Sequence, residues 1–147
     1  MAFRYRLESV LRLQRSLEKQ EENRLLACVA KVATLRNELQ SWEEERRNRK
    51  RLSAEELQAG STGAALSLTA SWDAQVVRKQ CEIVRHMIQA EEARKAQVAR
   101  VQEERRKREV LESLKDRLAT TYDQEELRRI QQVMDDMFLT RAFYYKG

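Results

Sequence analysis

Site chemistry needs groups that accept protons, hold metals or attack carbon, and in these 147 residues such groups are few. His86 is the only histidine, and Cys28 and Cys81 are the only cysteines. With a single imidazole no metal cluster or serine–histidine–aspartate arrangement is expected. His86 reads as a solvated helix position or a neighbour of a helical seam. The cysteines stand far apart and neither belongs to a metal-type pair, so a reduced setting is expected. Chain reversal leaves a disulfide between them open, although small apolar seam positions are the plainer reading. No glycine-rich phosphate loop is present. Glu43 to Glu45 and Glu103 with Glu104 sit beside basic runs and read as helix-surface ion pairs. The expectation is therefore no enzyme, with no catalytic, cofactor-binding or metal-ligating residue and no cofactor.

The basic runs suggest a second chemistry. Arg46, Arg47, Arg49, Lys50 and Arg51 form one, and Arg105, Arg106, Lys107 and Arg108 another. Neither has interleaved aromatic residues on which bases stack. Acids precede each run, and the net charge is only +5, from 29 Lys+Arg against 24 Asp+Glu. A basic helical hairpin that binds nucleic acid is thus the alternative, and no nucleic acid is expected in the leading reading. No apolar run approaches the roughly 20 residues of a membrane span. The charged opening MAFRYRLESVLRLQRSLEKQ has no secretory signal pattern, so a cytoplasmic location without direct membrane insertion is expected.

The elements that carry these residues follow from composition. There is no proline, glycine occurs three times, and 36% of residues are charged. Strong helix formers dominate, which excludes turn-rich sheet folds and points to long helices. Apolar residues recur at three-four spacing. In the first arm Leu7, Val10, Gln14, Leu17 and Glu21 lead to Leu25, Cys28, Val32, Leu35, Leu39 and Trp42. The step from Glu21 to Leu25 reads as a stutter in the heptads. The second arm runs through Trp72, Val76, Gln80, Ile83, Met87 and Ala90. It thins to Val98 and Val101, then resumes at Leu111, Leu114, Leu118 and Tyr122. Residues 53–71, with Gly60, Gly63 and many serines and threonines, form the one obvious break. The fold expected is all-α: one two-helix antiparallel coiled-coil hairpin over 1–147, with unequal arms. Helix 1 is placed at about 3–52, the turn region at 53–71 and helix 2 at about 72–140.

Arm lengths of roughly 75 Å and 100 Å follow from these bounds. Reversal about residue 61 puts Phe3 near Ala119 and leaves the last ~25 residues without a partner. Thr120 and Thr121, with Thr121 and Gln124 spaced as a capping box, suggest a kink or restart at 120–123. Beyond it Leu127, Ile130, Met134, Met137, Phe138, Phe143 and Tyr144 form an amphipathic stretch that needs a partner surface. The same reversal sets Trp42 near Gln80 and Trp72 near Lys50, so at least one tryptophan stays partly exposed beside basic residues.

The opening Phe3-Arg4-Tyr5-Arg6-Leu7-Glu8-Ser9-Val10-Leu11-Arg12-Leu13 resembles the start of the FliJ family, small flagellar protein-export components whose long first helix opens on an aromatic-x-aromatic-x-Leu run. Length, the break near residue 60 and the close from Glu125 to Arg129 into Met134-Asp135-Asp136-Met137-Phe138 are also similar. The stalk proteins of virulence type III secretion share this architecture. The resemblance implies a protein-transport role in flagellum biogenesis: a stalk that inserts into the hexameric flagellar export ATPase ring, promotes its assembly and activity, and links it to other export components. The implied partners are that ATPase, the cytoplasmic domain of the export gate membrane protein and escort export chaperones, at the cytoplasmic face of the inner membrane.

By the same resemblance, ring contacts fall on Phe3, Arg4, Leu7, Arg12, Leu127, Arg128, Arg129, Ile130, Met134, Met137, Phe138 and Arg141. Gate contacts fall on Leu39, Trp42, Arg49, Trp72, Val76, Lys79 and Ile83. Arg49 and Lys79 stand where relatives suggest an aromatic or small residue. A generic coiled-coil scaffold is the remaining alternative.

Overall fold

A computed structural model describes residues 2–60 and 62–146. The chain is all-α, two long helices packed against each other as a hairpin, with no strand among the described residues. Helix α1 spans Glu8–Gln58 and helix α2 spans Gly63–Lys146, 51 and 84 residues long. The contacts divide the chain into two units. The terminal unit joins Met1–Lys19 to Glu103–Gly147, and the turn unit is Gln20–Gln102.

The turn is much shorter than the 53–71 expected. Residues 53–58 continue α1, and 63–71 already belong to α2. Gly60 ends α1 at φ 91°, a left-handed conformation that a side chain would strain. Thr62 opens α2: its Oγ1 accepts from the Ala65 amide at 3.4 Å and its carbonyl from Leu66 at 3.2 Å. Serines and threonines here are helical because tertiary packing outweighs their weak preference for turns. Half-buried Ser53, Ala65 and Thr69 are small, and the Thr69 hydroxyl is satisfied by the Ala65 carbonyl at 3.0 Å.

At the other end α1 starts at Glu8, five residues later than expected. Tyr5 is buried before the helix begins, and its hydroxyl donates to the Leu111 carbonyl at 3.1 Å. The Phe3 ring lies 5.6 Å from that of Tyr122, three positions beyond the expected Ala119. No restart occurs at 120–123, and α2 runs through without interruption. The Thr120 and Thr121 hydroxyls bond back to the Asp116 and Arg117 carbonyls, each at 2.9 Å, so neither acts as a cap.

The seam on α1 also differs from its apolar pattern. Buried and half-buried positions run Leu11, Gln14, Glu18, Glu21, Leu25, Cys28, Val32, Leu35, Leu39 and Trp42, alternating steps of three and four. The expected stutter is absent. Leu11 is fully buried, whereas Val10 and Leu17, expected in the seam, are 43% and 39% exposed. Glu18 takes the place expected for Leu17 because two arginines neutralise it. Arg105 pairs with its carboxylate at 3.4 Å, and Arg108 forms a second, shorter contact.

In the turn unit Val32, Val76, Ile83, Ala90 and Val101 are buried. Its middle, expected to be thin, is closed by Gln97. The Gln97 amide donates to the Glu21 carbonyl at 3.0 Å and also to the Glu21 carboxylate. Across the terminal unit Gln14 treats Glu104 identically, bonding its carbonyl at 3.1 Å and its carboxylate. Among the described residues no buried side-chain polar atom lacks a partner. Leu114 and Leu118, read as seam residues, are exposed, while Lys115 is half-buried and pairs with Glu8 at 2.8 Å. Both cysteines are free thiols, Cys28 half-buried and Cys81 exposed.

Candidate functional site

Two surfaces collect the residues singled out in the sequence, one in each unit. The first is the end of α2. From Leu127 to Lys146 every residue is exposed and helical, so no part of α1 covers this stretch. Leu127, Ile130, Val133, Met134, Met137 and Phe138 cluster along one face, each at least half exposed. Such a stripe in water is unfavourable and calls for a covering surface. Phe143, Tyr144 and Tyr145 are the most open aromatics, at 84–90% exposure.

Of the expected ring-contact residues, Leu127, Arg128, Arg129, Ile130, Met134, Met137, Phe138 and Arg141 all lie on this stretch. Arg129 pairs with Glu126 at 3.3 Å. Arg4, Leu7 and Arg12 are exposed in the first residues of the chain, while Phe3 is half-buried against Tyr122. Both sets thus belong to the terminal unit. Val133, Leu139 and Tyr145 belong to the same exposed group and escaped notice. Their signal is plain only once the helix is known to continue to Lys146 with nothing against it.

The second surface is in the turn unit. Trp42 and Trp72 are both half-buried, and each is capped by a cation from the opposite helix. The Lys79 ammonium sits 4.6 Å from the Trp42 ring centre, and the Arg49 guanidinium 4.7 Å from that of Trp72. Arg49 and Lys79 thus each cover the tryptophan of the opposite helix. Between the capped rings Arg46 grips Asp73 with two parallel bonds, 2.6 and 3.1 Å. The Arg46 bond holds the Asp73 carboxyl below its ordinary value, against the opposing effect of burial. A shallow groove of about 330 Å³ follows Trp72 toward the turn, lined by Arg49, Leu57, Leu66 and Ala70 among others.

Of the residues expected to meet the gate, Val76 at 2% exposure and Ile83 at 8% are buried between the helices. They hold the turn unit together and present no surface, as their place in the apolar seam requires, so the gate contact expected of them by the resemblance does not fit. Leu39, Trp42 and Trp72 are half-buried, and Arg49 and Lys79 are exposed.

The basic runs are largely spoken for. Arg46 binds Asp73, Arg47 lies 3.9 Å from Glu43, and Lys107 lies 3.2 Å from Glu104. Arg108 bridges Glu18 and Glu112. Bonds from Arg108 and then Arg15 keep the Glu112 carboxyl low, and bonds from Gln14 and then Lys107 do the same for Glu104. Phosphates would have to compete with these carboxylates. Among the described residues no group of three or more histidine, cysteine or carboxylate side chains is arranged to hold a metal, and no helix is long and apolar enough to cross a membrane.

No protein-family model, curated protein or solved structure matches the chain.

Proposed function

We propose that this chain is a cytoplasmic, non-enzymatic stalk component of a flagellar-type protein-export ATPase, as its resemblance to the FliJ family implies. The observation that carries this reading is the uncovered end of α2, Leu127 to Lys146, an amphipathic helix that the chain itself leaves unpaired. The Phe3–Leu13 run that resembles the family lies in the same unit. A helix of this kind fits a socket lined with complementary side chains, and a ring of subunits provides one.

Side chains on the inserted helix would stabilise some subunit interfaces of the hexamer more than others. Conformations competent for hydrolysis then gain population without any catalytic residue from the stalk. Met134, Met137 and Phe138 supply adaptable apolar area, and Arg4, Arg12, Arg128, Arg129 and Arg141 supply charge. The gate-facing surface in this reading is the capped pair Trp42 and Trp72 with Leu39, Arg49 and Lys79. Escort chaperones remain further partners by the same resemblance.

The test is phosphate release by the purified export ATPase, with and without the full chain. Stimulation is expected, and it should vanish when the chain is truncated after Glu126. Circular dichroism of the truncated chain should still report the packed hairpin. Undiminished stimulation by the truncated chain would defeat the reading.

A further inference from the structure

The uncovered end of α2 carries a second pattern besides its apolar stripe. Asp123, Leu127, Ile130, Met134, Met137 and Arg141 follow one another at alternating steps of four and three residues, the a/d spacing of a coiled-coil seam. All six are helical and exposed. The order of steps reads the same in both directions, centred on Gln132. The charges do not: the stripe begins on an acid and ends on a base. Neither Asp123 nor Arg141 forms an ion pair among the described residues.

We propose that this segment pairs with the same segment of a second copy, antiparallel, about a two-fold axis at Gln132. In that arrangement Leu127 packs on Met137 of the second copy and Ile130 on Met134, and each contact occurs twice. Asp123 meets Arg141 at both ends, closing the apolar layers between two ion pairs. A parallel pairing of the same stripe would set Asp123 on Asp123 and Arg141 on Arg141, which is repulsive. The stripe is thus complementary to itself in one direction only. The paired length, Asp123 to Arg141, is roughly 27 Å.

A helix is the natural cover here, because three-four spacing of apolar residues is the pattern of a helix–helix seam. The stripe lies one residue round from half-buried Tyr122 and Glu126, clear of the face that α1 occupies. Self-pairing does not rest on the stalk reading and needs no ATPase. Since both use the same stripe, a chain paired with itself and a chain seated in a ring exclude one another.

Sedimentation of the full chain over a concentration series up to about 100 μM tests this. A reversible monomer–dimer equilibrium is expected. Arg141→Asp should raise the dimer dissociation constant by about tenfold or more, because it creates two acid–acid contacts. Asp123→Arg should do the same with two base–base contacts. The double variant Asp123→Arg/Arg141→Asp should recover the original affinity. Both substituted positions are exposed, and unchanged helicity of all three variants in circular dichroism would confirm that the fold is kept. A chain that stays monomeric throughout, a dimer indifferent to the single reversals, or a double variant that fails to recover would each overturn the proposal. Absence of ATPase stimulation by the chain diluted below its dimer dissociation constant would instead count against the stalk reading alone.

Discussion

In the turn unit the two helices meet mainly through hydrocarbon, with Val32, Val76, Ile83 and Ala90 buried between them. In the terminal unit they meet through polar clasps. Gln14 and Glu18 are buried there beside Leu11, and Glu104, Arg108 and Lys115 of α2 reach across to them or to Glu8. From Glu103 onward α2 contributes no buried residue, whereas before it Val76, Ile83, Ala90, Gln97 and Val101 are all buried. Apolar layers supply stability but tolerate sliding by a heptad. Buried charges supply less stability and permit one alignment. The turn unit, despite its Gln97–Glu21 and Arg46–Asp73 clasps, leans on apolar burial, and the terminal unit, despite Leu11, leans on polar contacts that fix register.

The contrast breaks most readily at its apolar anchors. Val76→Ala should cost about 2 kcal/mol and Leu11→Ala about 3 kcal/mol in urea unfolding, since both side chains are fully enclosed. Glu18→Ala comes next at about 2 kcal/mol, because Arg105 and Arg108 lose their shared carboxylate. Glu18→Leu sharpens the point. It fills the seam with hydrocarbon and should cost less than Glu18→Ala, while relaxing alignment, which is readable by cysteine cross-linking between the arms. Arg49→Ala, which uncovers the Trp72 ring, should cost roughly 0.5–1 kcal/mol and shift tryptophan emission to longer wavelength.

Acid provides the smallest and most graded comparison. Glu8, Glu104 and Glu112 titrate below the ordinary 4.5 in the folded chain because Lys115, Gln14 and Arg108, respectively, bond their carboxylates. The folded state therefore binds fewer protons than the unfolded state does. The stabilisation is complete above about pH 4.5 and is lost as pH falls through the depressed values. Protection of the terminal unit's amides, measured against their intrinsic exchange rates at each pH, should fall below that point and hold steady above it.

Much of this was legible in the sequence. Leu25 to Trp42 and Val76 to Ala90 read as seams because their apolar residues already sit at the helical period. Reversal about residue 61 set Trp42 and Trp72 within one residue of the cations that cap them. What failed was the assumption that a seam is apolar. Val10 and Leu17 attracted the register because they are hydrophobic, and Glu18 was passed over because it is not. Its burial depends on arginines some ninety residues away in sequence, at separations of 87 and 90. The turn misled for a related reason. Ser53, Ser67, Thr69 and Ser71, on either side of the two glycines, imitate a loop, yet they are helical, with Ser53 and Thr69 half-buried among small side chains. The uncovered end was readable from arm lengths, and Val76 and Ile83 were readable as seam residues, which left no surface on them for the gate contacts also expected there.

The brevity of the link at Gly60 has a practical corollary. Because the two halves are held by side-chain contacts along their length, the covalent join contributes mainly by raising one half's local concentration near the other. Severing the backbone between Gly60 and Gly63 should yield two separately expressible peptides that recognise each other when mixed, a split pair whose reassembly would report on the polar clasps directly.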